Sequence, residues 1–181
     1  MKSISSIAAL LSSLWAGTAM AQGLFGIALG QPLRVQECSM RQHDYLPAED
    51  AFCYQWVDGA PRPAPMPADG YIQVHVPRTD RPDFMDGALV MVALKQGRVV
   101  SVAAYTHGSN GETGDFRVLK SMFGRTSPQR LSYGNGQTTM ATWALADGAS
   151  AYYNSGEYGA YRGLLRLQSA QADQHRAGLW D

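Results

Sequence analysis

The stretch 88-ALVMVALKQGRVVSVAAYT-106 holds two apolar arms on either side of Lys95-Gln96-Gly97. A tight turn at those three residues folds the arms back on each other as a β-hairpin. Each arm is apolar at consecutive positions instead of alternate ones. That is the pattern of strands covered on both faces or packed at an interface. The hairpin therefore reads as the centre of a sheet, and the neighbouring segments are placed relative to it.

Upstream, 71-YIQVHV-76 alternates cleanly, with Ile72, Val74 and Val76 on one face and Tyr71, Gln73 and His75 on the other. Downstream, 138-TTMATWALADGASAYYN-154 is a second hairpin, turned at Asp147-Gly148. The segment 161-YRGLLRLQS-169 is a last strand, weakened at its start by Gly163. Between the hairpins, Phe116, Leu119, Met122 and Phe123 recur at helical spacing. Thr113 or Asp115 can cap that helix, Gly124 can end it, and Pro128 prevents a restart. One helix against an antiparallel sheet of about five strands predicts an α+β fold.

The N-terminal part is built differently. Ile4 to Leu33 carries no charge. Lys2, a serine-diluted apolar core and the small residues Ala19 and Ala21 have the layout of a secretory signal peptide, residues 1–21, cleaved after Ala21. A membrane anchor would need about 20 strongly apolar residues, and serines, Gly17 and Gln22 interrupt this span. The expected mature chain, 22–181, is one domain in length. It divides into a disulfide region (22–57), a connector (58–70) and the sheet with its helix (71–181). Cys38 and Cys53 are the only cysteines, and in an exported chain an even count reads as a disulfide. Closing a loop of that length is worth about 3 kcal/mol in the chain-entropy model. Pro32 can open a short helix running to about Met40. In 58-DGAPRPAPMPADG-70, prolines at 61, 63, 65 and 67 dictate an extended, stiff connector.

Losing Lys2 with the signal leaves 14 basic and 15 acidic residues, a net charge of −1. This balance offers no basic excess for nucleic acid and no polybasic patch for a membrane surface. The sequence has no GxSxG elbow, no phosphate-binding glycine loop, no HExxH and no calcium loop. His43-Asp44 is an adjacent pair inside the cysteine loop. In 107-HGSNGETGD-115, His107, Asn110, Glu112 and Asp115 gather side chains capable of acid–base work. Their spacing also suits a loop that caps a helix. No catalytic residue, cofactor or metal is assigned from these patterns.

The segment 151-AYYNSGEYGAYRG-163 places Tyr152, Tyr153, Tyr158 and Tyr161 around a glycine-rich connection, followed by Arg162. Tyrosine and arginine supply large, stiff contact area at interfaces. Tyr152 and Tyr153 must point to opposite faces of a strand, so only one of them enters the core. Tyr158 lies in the loop. Arg162 and Arg166 share one strand face.

The opening 24-LFGIALGQPL-33 resembles the FGxxLGxxL start of many small exported bacterial proteins. The order GRVVSV, LKSMFGRTSP, TWALADG is similar to their hairpin, helix and Trp-bearing strand, and loosely to the repeat of beta-lactamase inhibitory proteins. The resemblance implies an exported α+β protein without catalytic residues. Together these readings predict a periplasmic or secreted, non-enzymatic binding or inhibitor-like protein. Its partner would be another protein, met through Tyr152, Tyr153, Tyr158, Tyr161 and Arg162. The alternative is a small exported hydrolase using His107, Glu112 and Asp115.

Overall fold

The computed structural model describes residues 23–39, 47–58, 64–133 and 136–172. The signal segment, His43-Asp44 and the start of the proline-rich connector lie outside the described residues. A small hairpin comes first, β1 (Gly23–Leu24) and β2 (Ile27–Ala28). Nine strands then form one sheet: β3 (Gln36–Glu37), β4 (Cys53–Trp56), β5 (Gly70–His75), β6 (Met85–Lys95), β7 (Arg98–Thr106), β8 (Gln129–Tyr133), β9 (Gly136–Ala144), β10 (Ser150–Asn154) and β11 (Gly163–Gln168). Helix α1 (Gly108–Phe123) separates β7 from β8.

The strand order is β3-β4-β5-β6-β7-β11-β10-β9-β8. Every neighbouring pair is antiparallel except β3 with β4. The sheet is thus two meanders, β4 to β7 and β8 to β11, that meet where β7 pairs β11. The hairpin at 88–106 does supply β6 and β7 at the centre, with Lys95 paired to Arg98 and left-handed backbone at Gln96 (φ 52°) and Gly97 (φ 72°). Both signs match the right-handed twist of the arms.

The expectation of an α+β fold with about five strands is corrected. Of the described residues 45% are strand and 16% helical, so the protein is mostly β, with one mixed nine-stranded sheet. Three of the nine strands lie outside the segments read above as strands. β3 is two polar, exposed residues; β4 begins at Cys53, where the cysteine segment ends; β8, in QRLSY, is a polar edge held by pairing with β9. None of them carries an apolar alternation that sequence periodicity detects. The helix expected from Pro32 is also absent over the described residues. Pro32 instead bridges Arg98, and Gln36–Glu37 pair with β4.

One face of the sheet carries the main core. Ile72, Val74, Val92, Val102, Leu165, Leu167, Ala151 and Tyr153 are all fully buried there. Helix α1 covers the β8–β11 half, with Phe116 and Phe123 against Trp143 at 6.0 and 5.5 Å between ring centres. The Trp143 indole N–H donates to the Gly124 carbonyl at 3.0 Å, tying the helix end to β9. The β1–β2 hairpin covers the other half, with Phe25 6.2 Å from Phe84. The expected disulfide joins Cys38 to Cys53, with Cα atoms 4.9 Å apart. It fastens the chain leading out of β3 to β4 and is compatible with an oxidising compartment. Among the described residues no helix is long and apolar enough to cross a membrane.

Candidate functional site

Two groups of residues that are separate in the sequence share one end of the sheet. Strand β7 ends at Thr106 and hands the chain directly to α1 at Gly108. The β10–β11 connection, residues 155–162, folds over that junction. Gly108 allows this approach. A Cβ there would lie 2.5 Å from the Arg162 nitrogen and 2.6 Å from the Ala160 oxygen, both backbone atoms. The Asn110 N–H donates to the Ala160 carbonyl at 3.4 Å, and the Tyr158 N–H to the Arg162 carbonyl at 3.0 Å.

Beneath the loop is a polar network. The Ser155 hydroxyl donates to Glu112 Oε2 at 3.0 Å and accepts the Thr139 N–H at 2.8 Å. The Thr138 hydroxyl donates to Asn154 Oδ1 at 2.7 Å, which also accepts the Gly156 N–H at 3.0 Å. The Asn154 amide donates to Glu157 Oε2 at 2.6 Å. Beside this network, Asp115 is buried and takes two bonds from His107, its backbone N–H to Oδ2 and Nδ1–H to Oδ1, each 2.9 Å. Burial pushes the Asp115 carboxyl above its ordinary value, and the His107 hydrogen bonds oppose that rise. Helix α1 therefore starts at Gly108, earlier than Thr113 or Asp115 would have capped it. Asp115 reaches back from inside the helix to hold the residue before it.

The tyrosines separate by role. Tyr153 is fully buried on the core face, 6.3 Å from the Phe116 ring, and burial followed by the charges of Asp115 and Glu112 raises its phenol strongly. It supports the site from below and offers no contact surface. Tyr152 lies half-buried on the opposite face, where the Arg166 guanidinium sits 5.6 Å from its ring centre. Tyr158 stands at the loop, 5.5 Å from Tyr105 in an edge-on contact. Tyr161 is 81% exposed. Arg162 lies 4.6 Å from the Tyr105 ring centre and 3.3 Å from Asp86 Oδ2. Burial raises the Tyr105 phenol, and the charge of Arg162 opposes this.

Sequence reasoning did not find Tyr105, Asp86, Ser155, Asn154 or Glu157. Ser155 and Glu157 lie in NSGE, a segment with no nucleophile-elbow context. Their signal is tertiary, because Ser155 meets Glu112 across 43 residues. Among the described residues no three His, Cys, Asp or Glu side chains could together hold a metal ion.

Comparison of the chain with protein-family models, with curated proteins and with solved structures found no match. The site is therefore interpreted from its own geometry.

Proposed function

We propose that this is an exported, non-enzymatic binding or inhibitor-like protein that engages a protein partner through the loop carrying Tyr158, Tyr161 and Arg162. One observation supports the reading above others. Tyr161, 81% exposed, projects from a loop whose backbone is seated on the start of α1 and whose root is braced by Ser155, Asn154 and Glu157. Large aromatics and arginine dominate binding energy at interfaces. A base that is already ordered reduces the entropy lost when they dock. The disulfide is compatible with the export that the N-terminal segment predicts.

The hydrolase reading has one favourable observation, the buried Asp115 carboxylate on His107 Nδ1. That geometry orients Nε2 outward as a general base. The hydroxyl in the cluster is unsuited to the part of nucleophile. Ser155 is fully buried, and its hydroxyl is engaged by Glu112 and Thr139. Glu112 is in turn occupied as a brace.

Incorporating a photo-crosslinking residue at Tyr161, in cells exporting the protein, tests the proposal. A discrete protein adduct is expected, its yield falling when Tyr158 or Arg162 is changed to alanine. Truncating such an anchor costs about 2 kcal/mol or more of binding, roughly thirtyfold in affinity. A probe at Met122, also exposed but on α1, should not give the adduct. Equal labelling from both positions, or none from Tyr161, rejects the loop as the interface. His107→Ala should leave the adduct intact; loss of a hydrolytic activity in that variant would favour the second reading.

A further inference from the structure

The opposite face of the sheet, away from α1 and the β1–β2 hairpin, has its own concavity. Strand pairing aligns Tyr71, Ala93, Ser101 and Gln168 in a row across β5, β6, β7 and β11. The adjacent row is Met91, Ala103, Arg166 and Tyr152. Small side chains at Ala93, Ser101 and Ala103 leave a low floor between the larger Tyr71 and Arg166. The register between β6 and β7 also slips by one residue, since Ala93 faces Ser101 while Leu94 faces Val99. Val100 is the extra residue, and such bulges re-aim side chains. Val100 and Ser101 both line the resulting cavity, which has a volume of about 200 Å³.

Two polar atoms here have no hydrogen-bond partner, the Ser101 hydroxyl and the Arg166 Nε. Ser101 is only 6% exposed. Buried polar atoms are almost always satisfied, so an unpaired hydroxyl and an unpaired guanidinium nitrogen beside one cavity call for a partner. Lys95 adds a second cation to the lining. Asp69, also in the lining, has Oδ1 engaged by the Gln96 N–H at 2.9 Å. The remaining wall holds Gln168 and an apolar part made by Leu94, Val100 and the Tyr71 ring.

We propose that this cavity binds a small organic carboxylate. Arg166 and Ser101 hold the carboxylate oxygens, and the apolar body lies against Tyr71 and Val100. Arginine presents a planar donor edge matched to a carboxylate, and the Arg166 guanidinium lies 5.6 Å from the Tyr152 ring centre. The volume is below the about 300–1,000 Å³ of drug-sized sites, so the ligand is a small one. A phosphate, polar on every side, would leave the apolar wall of Leu94, Val100 and Tyr71 unused. This site is on a different face from the main core and does not depend on the tyrosine loop.

The test is a titration followed by backbone amide NMR, with benzoate as probe and benzamide as its uncharged match in shape. Benzoate is expected to shift the amides of Ser101, Arg166 and Gln168 in a saturable way, with benzamide at least tenfold weaker. Arg166→Gln should weaken benzoate at least tenfold, Arg166→Lys should recover part of that loss, and Ser101→Ala should weaken it several-fold. The same spectra report whether each variant is folded. If Arg166→Gln does not fold, the benzamide comparison and Ser101→Ala decide. Equal affinity for benzamide, undiminished binding in the folded variants, or no saturable shift with benzoate overturns the proposal.

Discussion

Gly108→Ala asks whether the tyrosine loop is seated by backbone contact. Gly108 has φ of 73°, a left-handed value that costs an alanine about 1–2 kcal/mol. The new Cβ would lie 2.5 Å from the Arg162 nitrogen and from the Tyr161 carbonyl carbon, and 2.6 Å from the Ala160 oxygen. All three are backbone atoms, so no flexible side chain can give way. Overpacking of this kind costs about 1–3 kcal/mol. With both terms in force the loss is about 2–5 kcal/mol, and at about 2–4 °C per kcal/mol for a domain of this size the melting temperature falls by roughly 4–20 °C. If the loop lifts away, the steric part is relieved and the fall is smaller. The Tyr158 and Asn110 amides, whose acceptors are in the loop, then exchange faster with deuterated water. Gly114→Ala is the control. Gly114 is exposed on the same helix and an added Cβ meets nothing within 4 Å, so alanine should stabilise by about 0.5–1 kcal/mol. Thermal denaturation with hydrogen exchange reads both effects. A Gly108→Ala protein with wild-type melting and unchanged Tyr158 exchange would refute the seating argument.

Replacing Cys38 and Cys53 by serine should lower stability by about 2–5 kcal/mol, read from urea denaturation; an unmoved midpoint would mean the bridge constrains nothing. Burial holds the Asp115 carboxyl above its ordinary 3.8. Between that value and the raised one, the native state keeps a proton that the unfolded state has released, so stability is full below 3.8 and is lost as pH rises through the folded pKa. Asp115→Asn removes this dependence, and the melting temperature of wild type minus variant should decline across that window; a flat or rising difference counts against it. Mass spectrometry of the exported protein should find Gln22 at the N-terminus, and recovery of an intact Met1 from the exported fraction would contradict cleavage after Ala21.

The parts of the fold that were legible in the sequence are those where one strand carries its own signal. The arms of 88–106, the alternation in YIQVHV and the Asp147-Gly148 turn each record burial or turn geometry locally, and each forms as expected. β3, β4 and β8 carry no such record. β8 is polar because it is an edge strand, paired on one side only with β9. Cys53 to Trp56 reads as irregular because its regularity comes from pairing with β5 and not from alternation. Counting periodic segments therefore undercounted the sheet and overstated the weight of the single helix.

The site shows the same limit in a sharper form. His107, Glu112 and Asp115 stood out as acid–base groups, and Tyr158, Tyr161 and Arg162 as interface groups, and nothing in the chain connects the two sets. The topology does. β7 and β11 are neighbours at the centre of the sheet, so the start of α1, which follows β7, must lie beside the loop that precedes β11. Once the two sets are adjacent, their chemistry is coupled. Glu112 accepts from Ser155 at the root of the loop, and Asp115 fixes His107 just before the glycine on which the loop rests. Carboxylates spent on internal hydrogen bonds stiffen the surface above them and are poorly placed to attack a substrate. That is why the same residues that first suggested a hydrolase brace the loop above them. It also predicts that removing the Glu112 brace by Glu112→Ala should accelerate exchange at Tyr158 and, on the proposed reading, lower the yield of the Tyr161 adduct.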